Sequence, residues 1–205
     1  MHSTADATVM RPPVDAETGS GVYNEKLGMW VFLLSEVMFF TALIGSYIIL
    51  RVGHPDAWAP NPNDRVLNIW LTAGNTFLLI CSSVSMVKAY AAAADGDQKM
   101  LKIWLLATVL IGATFVGVQV YEYIQLAVHE HFLPSSGLYG STFYTMTGFH
   151  GFHVTMGVLC MAYVTWRAFK GAYTATDHRG VEVIGLYWHF VDLVWIILFT
   201  IVYLI

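Results

Sequence analysis

Six ionisable side chains, Glu36, Glu122, His150, His153, His189 and Asp192, stand within long apolar stretches of a 205-residue chain. An ionisable group in hydrocarbon costs several kcal/mol unless it is paired or neutral, so chemistry or structural polarity must concentrate at these six. His150 with His153, and His189 with Asp192, are three residues apart and would share a helix face. Counted from the start of each stretch at about 1.5 Å per residue, Glu36 and Asp192 lie about 14 Å from one membrane face and His150 about 16 Å from the other. His153 and His189 share a shallower level, and Glu122 comes out near the opposite surface. The depths predict a cross-helix hydrogen bond between Glu36 and His150.

Three readings fit this pattern. The groups could be satisfied polar contacts between helices, or His153 and His189 could be the axial ligands of a haem. Alternatively, the carboxylates could pass protons or ions. A metal ion on the i,i+3 histidines alone is less well provided for, since three or four ligands are wanted and no Glu-x-x-His pair accompanies them. His129-Glu130-His131 forms a polar cluster in a connection, where ordinary solvated polarity competes with capture of a divalent ion. No Gly-x-Ser-x-Gly, Walker-type, Gly-x-Gly-x-x-Gly or Cys-x-x-Cys motif occurs.

The elements that must position these groups follow from composition. The chain is 57% hydrophobic and 12% charged, against about 25% charge in a soluble domain, and its mean hydropathy is +0.58. Five apolar stretches, 27–50, 67–87, 103–128, 138–166 and 183–205, are each long enough to cross about 30 Å of hydrocarbon. None shows the charged face that a helix on a soluble core would carry. The expectation is an all-α membrane protein, a bundle of five transmembrane helices over 27–205, behind a polar tail at 1–26 in which Pro12-Pro13 breaks any helix. The tail lacks the basic start and short apolar run of a secretory signal peptide. Pro55, Pro60, Pro62 and Asp64 mark the first connection, and Asp95-Gly96-Asp97 the second.

Arg11, Lys26, Lys88, Lys99, Lys102, Arg167, Lys170 and Arg179 fall on one side of the five stretches, against Arg51 and Arg65 on the other. Positive loops stay inside, which places the N-terminus in the cytoplasm and the C-terminus outside. The net charge of -4 without a basic stripe gives nucleic acid nothing to bind. Cys81 and Cys160 lie within stretches, where thiols act as small apolar groups. Ala42 with Ser46, and Ala113 with Gly117, are small residues four apart that would let helices approach closely.

The runs LLSEVMFFTAL at 33–43, GATFVGVQVYEY at 112–123, GLYGSTFYTMTGFHGFHVTMG at 137–157 and LYWHFVDLVWIILFTIVYL at 186–204 resemble, in order, those of subunit III of the haem-copper terminal oxidases. The resemblance covers nearly all of 27–204. It implies a non-catalytic subunit with no redox centre of its own, which argues against the haem reading. It also implies packing against catalytic subunit I, where haem and copper reside, in the inner membrane of a bacterium. Glu36 matches the family's intramembrane glutamate, known for reacting with hydrophobic carbodiimides. His150, His153, Glu122, His189 and Asp192 fall on family motif positions, as a shared polar framework. The resemblance further implies association with the other oxidase subunits and membrane lipids, a bound phospholipid, support of proton uptake, and a place in a respiratory supercomplex. Longer members have seven spans and this chain begins at what resembles their third, so their lipid groove does not carry over directly. The glutamate in SEVMFF leans toward the cytochrome c type over the quinol type, and the alternatives within the resemblance are subunit III of a quinol oxidase and an accessory subunit of a nitric oxide reductase. An independent transporter or channel is the alternative from another class.

Overall fold

The computed structural model describes residues 22–58, 69–129 and 131–204. Most of the polar tail, the Pro60, Pro62 and Asp64 part of the first connection, and Glu130 of the His129 cluster lie outside the described residues.

The described residues are all-α. The helices are α1 (Asn24–Gly53), α2 (Ile69–Ala94), α3 (Gln98–Val128), α4 (Leu138–Phe169) and α5 (Arg179–Phe199), and α5 runs on into a π-helical turn, Thr200–Leu204. Most outrun their apolar stretches, because backbone hydrogen bonding continues beyond the apolar side chains until a cap or turn intervenes. α3 starts at Gln98 because the Asp97 carboxylate accepts from the Lys99 and Met100 amides at 3.0 Å, which satisfies free N–H groups of its first turn.

α1, α2, α3 and α5 with its terminal turn are long and apolar enough to cross a membrane. α4 has comparable length, 32 residues, but is rich in threonine and histidine. Its hydroxyls are nonetheless satisfied locally: Thr142, Thr147 and Thr155 each donate to the carbonyl four residues back, at 2.7 to 2.8 Å.

α2 packs on α3 and α5, and α4 on the same two helices, giving a four-helix core. α1 lies outside it, mainly on α5, and buries only Phe40 and Tyr47 among its described side chains. The core is keyed by two tryptophans of α5. Trp188 Nε1 donates to Ser82 Oγ and Trp195 Nε1 to Thr76 Oγ1, both at 2.9 Å, so two buried rungs join α5 to α2.

The Trp188 ring fits between α3 and α4 because both helices carry glycine there. A Cβ at Gly112 would come within 2.8 Å of the ring, and one at Gly157 within 3.0 Å. The close approach expected at Ala42 with Ser46 and Ala113 with Gly117 is not what joins these helices. Those residues point outward, and nothing lies within 4 Å of a Cβ built at Gly117.

Candidate functional site

The polar side chains fall into four settings. In the first, Glu36 of α1 meets α4. Its Oε2 lies 3.1 Å from Nε2 of His153, and both side chains are mostly buried. The other ring nitrogen, Nδ1, is 2.7 Å from the Phe149 carbonyl oxygen one turn back. Phe40 edges against the ring at 5.2 Å. Both imidazole nitrogens are therefore engaged, and the carboxylate lies beside an aromatic wall.

The expected partner was His150, and the structure corrects this. Three residues along an α-helix turn about 300°, so His150 and His153 point about 60° apart. That angle directs His153 to α1 and His150 into the four-helix core. The His150 ring stacks on Trp195, centroids 4.7 Å apart, with Phe115 edge-on at 6.3 Å. Neither of its ring nitrogens meets a protein hydrogen-bond partner.

His189 and Asp192 of α5 form the third setting, on the face toward α2. His189 Nδ1 is 2.6 Å from Ser83 Oγ, and Asp192, one turn further along, is buried with its Oδ1 unpartnered. The expected pairing of level between His153 and His189 does not bring them together. The Tyr187 hydroxyl donates to the His153 carbonyl at 3.0 Å, which fixes the face of α5 that meets α4. His189 follows two residues later, about 160° around the helix.

A haem bridging His153 and His189 therefore does not fit. The two rings face different helices, and both nitrogens of His153 are taken. Among the described residues no group of three His, Cys, Asp or Glu converges to hold a metal ion.

The fourth setting is Glu122, near the end of α3 as expected but inside the bundle, 5% exposed. Thr72 Oγ1 donates to its Oε1 at 2.8 Å, and the Tyr203 hydroxyl reaches the same oxygen at 3.4 Å. Tyr203 belongs to the π-helical turn, which keeps Val202 and Tyr203 both buried. Such turns shift side chains relative to a regular helix.

A further cluster ties α1 down at its N-terminal end. Lys26 Nζ is ion-paired to Glu182, and the Tyr23 hydroxyl donates to the other carboxylate oxygen at 2.7 Å. Burial, reinforced by this carboxylate, raises the Tyr23 phenol above its ordinary pKa.

Three of these settings are polar contacts between helices and the one at His150 is an aromatic stack, and the matches with known proteins give them a family. A model described as cytochrome c oxidase subunit III matches residues 17–205. The chain belongs to this family. It is 42% identical over 178 residues to cytochrome c oxidase subunit 3 of Synechocystis sp., covering 86% of this chain and 74% of the relative. To the protein of the same name from Thermostichus vulcanus it is 38% identical over 179 residues, covering 87% and 86%. A probable cytochrome c oxidase subunit 3 of Mycobacterium tuberculosis is 40% identical over 179 residues, covering 87% of each chain. In this subunit III chain the family runs from SEVMFF to WHFVD therefore supply helix-to-helix contacts.

Sequence reasoning missed the partners. Thr72, Asn75, Thr76, Ser82 and Ser85 line the buried face of α2, and with Leu79 between Thr76 and Ser82 the stripe recurs every three or four residues. That period marks an inward stripe, but in hydroxyls and amides, where a search for apolar periodicity looks past it.

Proposed function

We propose that the chain is the non-catalytic third subunit of a haem-copper terminal oxidase of the cytochrome c oxidase type, which reduces dioxygen to water and pumps protons in aerobic respiration. The family match across residues 17–205 carries this reading. Haem and copper belong to its partner, catalytic subunit I. The helices of this chain brace that subunit, and Glu36 serves either as a structural carboxylate or as a group linked to proton uptake. The bacterial relatives support an inner-membrane location.

In this reading all five helices cross the membrane, α4 with its hydroxyls turned onto its own carbonyls. The N-terminus is cytoplasmic. Support comes from the basic side chains at the α1 N-terminal end of the bundle. Lys26, Lys88, Lys102, Arg167, Lys170 and Arg179 each lie over an aromatic ring, at 3.9 to 5.8 Å. Such pairs suit the headgroup zone, where the ring rests on lipid and the cation faces phosphate.

At this end a groove of about 740 Å³ opens between α1, α4 and α5, lined by Met29, Leu159, Tyr163, Arg167, Arg179 and Val183. Its apolar wall and Arg167 suit a phospholipid, Arg179 being paired with Asp177 of the same lining.

Deleting this chain from the oxidase is the test. The expected result is a remaining complex with its haem and copper spectra intact but a shorter turnover lifetime. Loss of the haem spectrum from an otherwise assembled catalytic subunit would contradict a non-catalytic role.

A further inference from the structure

Around His150 the bundle holds more hydrogen-bonding capacity than its own groups satisfy. His150 is 0% exposed, and neither Nδ1 nor Nε2 has a protein partner. An imidazole carries at least one N–H in every protonation state, and a second nitrogen that accepts when neutral. Trp195 covers one face of the ring and Phe115 abuts it edge-on, so bulk solvent has no access from those sides.

Two amides of matching capacity contact the residues around the ring, Thr147, Gly151 and Phe115. Gln119 lies one turn along α3 from Phe115, and a Cβ at Gly151, next to His150, would be 3.4 Å from both Nε2 and Oε1 of Gln119. Its Nε2 donates to the Thr147 carbonyl at 3.3 Å, while Oε1 is buried without a partner. Asn75 repeats the pattern from α2: Nδ2 donates to the Phe115 carbonyl at 3.2 Å, and Oδ1 is buried and unpartnered. Reversing either amide would set its oxygen against that backbone carbonyl, acceptor facing acceptor.

The unmet groups are therefore two acceptor oxygens and a ring with at least one donor. An apolar molecule cannot serve them, and no cluster of metal ligands occurs among the described residues. Water does, since a buried water donates twice, accepts, and makes about three hydrogen bonds to such groups.

We propose that α2, α3, α4 and α5 enclose a buried water site anchored by His150. An ordered water accepts from the imidazole N–H and donates to Gln119 Oε1, with Asn75 Oδ1 as the further acceptor. Trp195, stacked on the imidazole and held by Thr76, closes the site.

The test uses the assembled complex, wild type and Q119L. A density map that resolves waters should show one within about 3 Å of a His150 ring nitrogen and of Gln119 Oε1. That water should be absent in Q119L. With ¹⁵N-labelled histidine, solid-state NMR should show water-to-ring magnetisation transfer at His150 that falls severalfold in Q119L while the other histidine signals hold. A His150 ring bonded directly to a protein oxygen without solvent density would overturn the proposal, as would equal transfer in both proteins. Should Q119L not assemble, Q119M keeps the side-chain length, and the same two readings apply.

Discussion

Glu36 of α1 and His153 of α4 meet at 3.1 Å, carboxylate oxygen to Nε2, near the middle of both helices. Two further polar clasps on α1 flank this contact among the described residues. Toward the N-terminal end Lys26 and Tyr23 hold Glu182, and toward the other end the Arg51 guanidinium contacts the Ile201 carbonyl at 3.5 Å. With only Phe40 and Tyr47 fully buried among its described side chains, α1 adds these polar contacts to the partial packing of Met29, Leu33, Phe39, Leu43 and Ile44 against the core.

Replacing Glu36 should therefore loosen α1 more than it disturbs the core. E36A leaves the partly buried His153 Nε2 without its carboxylate partner, at a cost of about 1 kcal/mol. E36Q retains an acceptor and should cost less. In the assembled oxidase, E36A is expected to shorten turnover lifetime and to speed amide exchange along α1, and E36Q to do so more weakly. Unchanged lifetime, exchange and proton pumping in E36A would show that the clasp is dispensable.

The glycines beneath Trp188 give a steric prediction. Alanine at Gly112 would press its Cβ to 2.8 Å from the ring, and at Gly157 to 3.0 Å. Overpacking of this kind costs about 1–3 kcal/mol, with G112A the worse. Thermal unfolding followed by tryptophan fluorescence should rank wild type above G157A and G157A above G112A. G117A, where nothing lies within 4 Å, should match wild type.

Losing an indole's acceptor should also be measurable. T76V removes the oxygen that receives Trp195 Nε1, and S82A the one that receives Trp188 Nε1. Each leaves a buried N–H without a partner, at about 1–3 kcal/mol. Their effects should add within error, because the rungs share no hydrogen-bonded group. Additivity is read from the unfolding midpoints of the singles and the double, and a double no worse than either single would refute two independent rungs.

The Tyr23 clasp sets a direction for pH dependence. Burial first, and then the Glu182 carboxylate, raise the phenol above its ordinary 10.0, so the folded state favours the neutral form. Its contribution is fully present below 10.0 and is lost as pH climbs toward the raised value. Y23F removes this part of the alkaline transition. The difference between Y23F and wild type in stability against pH checks it, and parallel curves through that range would contradict it.

The sequence made the all-α character and the six intramembrane polar residues legible, because long apolar runs and charges within them are local properties. It did not make the pairing legible. Depth counted along separate helices matched Glu36 with His150, but the 60° between His150 and His153 decides which neighbour each meets, and that angle acts only once the helices are packed. Ser82, Thr76 and Thr72 were invisible for another reason. They bond to Trp188, Trp195 and Glu122, 50 or more residues away in sequence, and nothing in a lone hydroxyl announces so distant a partner.

The most direct test of the proposed function is purification of the chain, tagged at a terminus, from its native membranes in mild detergent. An oxidase subunit will bring with it a haem- and copper-bearing large subunit in near-equal amount, with a reduced-minus-oxidised haem spectrum and oxygen consumption supported by cytochrome c. A solitary oligomer of this chain with no haem spectrum, obtained under conditions that keep other respiratory complexes intact, would contradict it.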